Sequence, residues 1–222
     1  VFIKGFQELT LTDWPGVISS IIFTGGCNLR CFYCHNWSLA WEPDSLEDVP
    51  EEFILSKLRE KKDWIDGVII LGGEPTIHGE TLYNFLFTLK EEGFKIKLFT
   101  NGTRPEVIKK LIDKNLLDAI SLDIKHAPGK YSMLVGQTAD TFEPRIWETL
   151  DIIKQSKCEL FFRTTVLKNI HTIEDLKKIS SLVYPKKLIL QNVNIDGTSP
   201  VFQDKIISFS HEEFECIKNN LD

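Results

Sequence analysis

The chain lacks any hydrophobic run able to cross a bilayer: apolar stretches such as Val68 to Leu71 fall far short of the roughly 20 residues a spanning helix needs. It also lacks an excess of positive charge. With 26 Lys and Arg against 32 Asp and Glu, the net charge of -6 offers no field for a nucleic-acid backbone. Neither nucleic acid nor membrane is an expected partner. The N-terminal stretch VFIKGFQELTLTDWPG shows no basic start, apolar middle or small-residue cleavage site, which predicts a cytoplasmic protein. Repeats, low-complexity tracts and Pro/Gly/Ser-rich linkers are missing as well, so one domain over residues 1–222 is expected. A chain of that length buries a sizeable core without staples.

Cysteine is scarce except in one place. Of five in all, Cys27, Cys31 and Cys34 fall within the eight residues that end in FYC, and His35 follows at once. An odd number argues against a disulfide framework and suits a reducing compartment, where clustered thiols hold metal. Cys158 and Cys216 stand apart and read as buried small hydrophobes. Two metal readings are open. A zinc-binding interaction module would use Cys27, Cys31, Cys34 and His35 as a Cys₃His centre, although adjacent ligands chelate one ion awkwardly. A cubane iron-sulfur cluster normally takes four thiolates, so three would leave one iron for another ligand, the open position that catalytic sites keep.

Elsewhere, strand and helix patterns alternate. Short β-branched runs at Val17 to Phe23, Val68 to Leu71, Ile96 to Phe99, Ala119 to Ile124, Leu160 to Val166 and Leu188 to Gln191 predict strands. Helical apolar spacing occupies Pro50 to Trp64, Thr81 to Glu92, Pro105 to Lys114, Thr141 to Lys154, Ile173 to Leu182 and His211 to Asn219. The order predicts an α/β fold with a parallel sheet, either doubly wound or curled into a partial barrel. Both forms gather ligands at the carboxyl ends of the strands. Those ends carry the cysteine loop, Gly72-Gly73-Glu74-Pro75, Thr100-Asn101-Gly102, Asp123-Ile124-Lys125, Arg163-Thr164-Thr165 and Gln191-Asn192, a polar rim that predicts an active site. Ser121, Asp123 and Lys125 share one strand face, opposite Ile120, Leu122 and Ile124. A carboxylate and an amine aimed into a barrel are costly unless used or paired. The five histidines show no shared spacing and none is assigned to catalysis.

Cys27-x-x-x-Cys31-x-x-Cys34, with Tyr33 before the last cysteine, resembles the cluster motif of radical S-adenosylmethionine enzymes, and Gly72-Gly73-Glu74-Pro75 resembles that family's next motif. The resemblance implies a partial (β/α)6 barrel of the radical SAM type and a [4Fe-4S] cluster held by the three cysteines. It further implies that S-adenosyl-L-methionine chelates the fourth iron and is cleaved to a 5'-deoxyadenosyl radical that abstracts a hydrogen atom. By the same resemblance Tyr33, Gly72, Gly73, Glu74, Asn101, Asp123, Lys125, Arg163 and Gln191 are cofactor-binding, the glycine motif receiving the methionine amino group and Arg163 lying near the carboxylate and ribose. Some relatives also hold a monovalent cation at the Asp-x-Lys segment; Phe99 stands here where an aspartate of that site would be.

Thr12-Asp13-Trp14-Pro15-Gly16 resembles the opening of the anaerobic ribonucleoside-triphosphate reductase activating proteins, and the likeness extends over essentially the whole chain. Pyruvate formate-lyase activases have Asp-Gly-Pro-Gly-Ile-Arg there, with glycine at the place of Trp14. The resemblance implies an activase that installs a glycyl radical on the reductase, a small redox protein as electron donor, and Asp13 near the substrate loop. Few residues remain for a lid, which suits a substrate that is itself a loop of another protein. Two further radical readings share the short format: an activase of a different glycyl radical enzyme, and a small-molecule enzyme such as 7-carboxy-7-deazaguanine synthase.

Overall fold

The computed structural model describes residues 1–135 and 141–221. The first half runs β1 (Ile3–Thr10), β2 (Ser19–Thr24), α1 (Trp37–Trp41), α2 (Glu51–Glu60), β3 (Gly67–Gly72), α3 (Gly79–Glu91), β4 (Lys95–Thr100), α4 (Pro105–Asp113). The second half runs β5 (Ala119–Asp123), α5 (Ser132–Val135), α6 (Glu143–Lys154), β6 (Glu159–Val166), α7 (Ile173–Val183), β7 (Leu188–Asn192), α8 (His211–Asn219). All six expected strands and all six expected helices are present, α8 with the expected bounds and the others with one or both ends shifted. Strand β1 was not expected, because its burial follows no clean alternation.

The sheet order is β1-β2-β3-β4-β5-β6-β7, with β2 to β7 parallel and β1 antiparallel to β2. That order decides between the two expected architectures. A doubly wound sheet reverses at a switch point, whereas strands added always on the same side, with right-handed crossovers, keep their helices on one face. Strands β1 and β7 are the two edges, so the barrel stays open between them.

Alternation of side chains then makes two cores. Outward-facing Ile22, Val68, Ile70, Ile96, Leu98, Ile120 and Leu122 pack against Ile54 and Leu58 of α2, Leu82 and Leu86 of α3, Ile108 and Leu111 of α4, and Ile179 of α7. Each such side chain contributes about 1.5–3 kcal/mol on burial. Inward-facing Ile21, Ile69 and Ala119 pack instead on Trp14, which is 2% exposed and whose Nε1 donates to Glu159 Oε2 at 3.0 Å. Trp14 sits in the β1–β2 turn and Glu159 opens β6, so this tryptophan plugs the amino end of the barrel. Capping boxes start α7 (Thr172 with Asp175) and α8 (Ser210 with Glu213). No described helix is long and apolar enough to cross a membrane.

Candidate active site

The carboxyl ends of the parallel strands surround one cavity of about 410 Å³, within the roughly 300–1,000 Å³ of cofactor sites. The loop after β2 brings Cys27, Cys31, Tyr33 and Cys34 to it. That loop is fastened from both sides. Arg30 donates to the Cys27 carbonyl at 3.2 Å and the Ala40 carbonyl at 3.1 Å, while Leu29, Cys31 and Tyr33 pack with Leu134, Leu167, Val193 and Ile206. Burial foremost pushes the Cys27 thiol up to about 12 and those of Cys31 and Cys34 up to about 11. Such thiols ionise near neutrality only against a bound cation. Among the described residues no three Cys, His, Asp or Glu side chains converge on one ion. The thiols line a shared cavity instead, the donor set of a cluster whose cysteines each go to a different iron.

The end of β3 lies hard against the end of β2. Gly72 has φ +130°, and a Cβ there would stand 2.3 Å from the Thr24 carbonyl oxygen; at Gly73 it would stand 1.9 Å from that of Gly26. Only glycine permits this approach. The Glu74 N–H then donates to Gly26 O at 2.8 Å and Asn36 Nδ2 to Gly72 O at 3.0 Å. Glu74 borders the cavity, yet its carboxylate is spent inside the protein, accepting from Thr76, Thr100 and the Asn101 N–H. What it offers a cofactor is backbone. The Asn101 side chain is likewise engaged, by Asn28 and Thr103.

On the far wall Lys125 Nζ lies 3.4 Å from Asp123 Oδ2, and Arg163 Nε lies 3.7 Å from Asp123 Oδ1. Arg163 also donates to Gln191 Oε1 at 2.5 Å, its guanidinium 4.9 Å from the centre of the Phe99 ring. Burial opposes the Asp123 charge, but the Lys125 and Arg163 cations outweigh it and hold the carboxyl below its usual range. The Lys125 ammonium is pushed above its usual range in turn, because Tyr33, Cys31 and Asp123 outweigh its burial. Asp123 Oδ1, Arg163 Nε and Ser121 Oγ are buried without a hydrogen-bond partner. Orphans of this kind call for a polar ligand. Three thiols, glycine backbone, and unmet carboxylate and guanidinium capacity around one cavity fit a cluster with an amino-acid nucleoside beside it.

Asp13 is the one predicted site residue that the fold does not bring here. The chain reverses between β1 and β2, which leaves Asp13 at the amino end of the barrel, its carboxylate accepting from Thr10 Oγ1 at 2.5 Å and its carbonyl from Lys97 Nζ at 2.8 Å. Cys216 corrects a second expectation, being exposed on α8, whereas Cys158 is half-buried and donates to Leu117 O at 3.3 Å. Sequence reasoning missed Asn28, Thr103 and a histidine pair. The rings of His126 and His171 stack at 4.7 Å, and His171 Nε2 lies 2.9 Å from the Lys125 carbonyl oxygen. Their separation in the chain carried no signal, whereas Asn28 and Thr103 at least flank predicted motifs.

Comparison with known proteins gives a consistent assignment. The model of the Radical SAM superfamily matches residues 21–183. A protein of Methanocaldococcus jannaschii described as a glycyl-radical enzyme activating enzyme is 32% identical over 185 residues, covering 82% of this chain and 75% of its own. The pyruvate formate-lyase-activating enzyme of Clostridium pasteurianum is 26% identical over 187 residues, with the same coverage of 82% and 75%. Among solved structures, anSMEcpe with bound AdoMet and Cp18Cys peptide superposes with a TM-score of 0.64 at 20% identity, covering 89% of this chain and 56% of that one. TYW1 with a lysine-pyruvate adduct gives 0.62 at 17% identity, covering 92% and 72%. The two structures speak to the fold alone. With the family model spanning most of the chain and the cysteine loop on the cavity, this chain belongs to the radical SAM superfamily, enzymes that work with a [4Fe-4S] cluster and S-adenosylmethionine.

Proposed function

We propose that the chain is an activating enzyme that installs a glycyl radical on a partner protein, and that the partner is anaerobic ribonucleoside-triphosphate reductase, with a small redox protein as electron donor. The activase reading is supported by the relative of that description that matches over 82% of the chain. Trp14 carries the finer reading: pyruvate formate-lyase activases have glycine at its place, and here the indole fills the barrel floor.

In this reading Cys27, Cys31 and Cys34 hold the cluster, and the cluster with S-adenosylmethionine supplies hydrogen-atom abstraction. The chain's own residues orient and shield. Backbone at Gly72 and Gly73 receives the amino group, Asp123, Lys125, Arg163 and Gln191 meet the polar groups of the nucleoside and carboxylate, and Tyr33 packs behind the cysteines. Trp14 keeps water from entering at the amino end. The carboxyl rim and the open edge are left for the partner's loop.

The test is an anaerobic electron paramagnetic resonance experiment with reconstituted protein, S-adenosylmethionine, a reductant and either the reductase or pyruvate formate-lyase. A glycyl doublet on the reductase that requires every component is expected. A doublet on pyruvate formate-lyase alone would reassign the partner. Deoxyadenosine formed with no doublet on either would move the chain to small-molecule chemistry.

A further inference from the structure

Asn28, Asn101 and Thr103 close a ring of hydrogen bonds beside the first cysteine. Asn101 Nδ2 donates to Asn28 Oδ1 at 3.1 Å, Asn28 Nδ2 donates to Thr103 Oγ1 at 2.7 Å, and Thr103 Oγ1 donates to Asn101 Oδ1 at 2.7 Å. The Thr103 N–H adds a second bond to Asn101 Oδ1 at 3.0 Å. Every member donates to the next, so both amides are locked: turning either one over would set donor against donor. Asn101 and Thr103 are buried, which makes a broken link costly. From behind, the Asn101 N–H is anchored on Glu74 Oε2 at 2.6 Å.

The lock has one outward consequence. With one hydrogen of Asn101 Nδ2 committed to Asn28, the other is available to Cys27 Sγ, 3.9 Å away and within reach of a weak hydrogen bond to sulfur. The Leu29 N–H approaches the same sulfur at 3.4 Å. Hydrogen bonds to cluster sulfurs favour the more negative, reduced state and so raise the potential.

We infer that Asn28, Asn101 and Thr103 form a positioning unit that holds an N–H···S contact on Cys27 and thereby sets the reduction potential of the cluster Cys27 ligates. The inference rests on the cluster assignment but not on the identity of the partner protein. Asn28 follows Cys27 directly and Thr103 lies on the turn between β4 and α4. The ring therefore ties the cysteine loop of β2 to the end of β4, two strands away.

The test compares wild type, Thr103→Val, Thr103→Ser and Asn28→Ala after anaerobic reconstitution. Midpoint potentials come from redox titration followed by electron paramagnetic resonance, alongside the g values of the reduced cluster and iron content. Valine matches threonine in shape and lacks the hydroxyl, whereas serine keeps it. Thr103→Val and Asn28→Ala are expected to titrate at more negative potential with altered g values, and Thr103→Ser at the wild-type position. Asn28 is only partly buried, so its variant keeps the test open should Thr103→Val fail to fold. Wild-type potential and g values in the folded Thr103→Val or Asn28→Ala protein would overturn the inference, as would a Thr103→Ser shift equal to that of valine. A wild-type protein that takes up no iron would sink the cluster assignment itself, and this inference with it.

Discussion

Both carboxylate oxygens of Glu74 are consumed by the protein. Oε1 accepts from the Thr76 N–H at 3.1 Å, Thr76 Oγ1 at 2.5 Å and Thr100 Oγ1 at 2.8 Å; Oε2 accepts from the Asn101 N–H. Thr100 Oγ1 itself accepts from the Gly102 N–H, so its proton must point at the carboxylate. The letters GGEP told where the β3 end would be, and could not tell that the acid would face its own strand ends rather than a ligand. Glu74→Gln should cost about 1–3 kcal/mol, because a carboxamide set by its carbonyl on the two threonines turns an N–H toward that of Asn101. Urea unfolding of the metal-free protein measures this, and wild-type stability in the variant would remove Glu74 as the anchor. The cysteines invite a contrasting experiment. Cys31→Ala should abolish iron uptake, while Cys216→Ala, altering an exposed residue far from the loop, should take up as much iron as wild type. Retained cluster in the first variant would refute the ligand set.

At the scale of elements, the strands were legible as short β-branched apolar runs, as in Val68 to Leu71, and the helices as apolar spacing with a period of 3.6. The segment just beyond β5 was not legible in this way. The chain after Asp123 is held by side chains from further along the sequence: Thr164 Oγ1 donates to Ile124 O at 2.6 Å, the Lys125 N–H to Tyr131 Oη at 3.1 Å, and His171 Nε2 meets the Lys125 carbonyl. His171 Nδ1 accepts from the Leu167 N–H and His126 Nδ1 from the Ala127 N–H, so both rings are neutral in this arrangement. Burial, with the neighbouring His171, depresses His126 from 6.5 to about 4. The nearby Asp175 is held down to about 2, where Lys130 and Thr172 outweigh its burial, and stays ionised throughout that range. Because the folded value lies below the unfolded one, the unfolded chain binds the extra proton. Stability should therefore fall as pH drops from 6.5 toward 4, by up to about 3 kcal/mol for His126. Unfolding free energies of wild type and His126→Phe, followed from neutral pH down to about pH 5, give the check. The variant should start lower, having lost a hydrogen-bond acceptor, and slope less; equal slopes would mean the pair does not govern acid stability.

For the whole molecule, the decisive fact is that the barrel has two buried faces, and a parallel strand buried on both sides shows no alternation to say which face is which. Lys97 illustrates what this hides. In the sequence KIKLF it reads as one polar residue of a strand, yet it is 2% exposed on the inner face, with Nζ 3.6 Å from the centre of the Phe161 ring, 5.1 Å from that of Phe99 and 6.0 Å from that of Trp14. Its Nζ donates to the Asp13 carbonyl at 2.8 Å, which pins the Trp14 turn across the barrel floor. Burial drives the ammonium from 10.5 down to about 8, a cost on the order of 3 kcal/mol at neutral pH. The unfolded chain binds the proton more tightly, so wild-type stability should rise as pH climbs from 8 toward 10.5. Lys97→Met keeps the stem and removes the charge, while giving up a hydrogen bond worth about 1 kcal/mol. At neutral pH the variant should be about 1–2 kcal/mol more stable than wild type, and that advantage should vanish by about pH 9–9.5 and reverse above it. If the ammonium is retained to fix the floor, the same variant should expose Trp14 more readily to acrylamide quenching despite its higher stability. Higher stability with unchanged quenching would leave the floor to packing around Trp14 alone, and lower stability at neutral pH would show that the ring faces and the Asp13 carbonyl outweigh the burial of the charge.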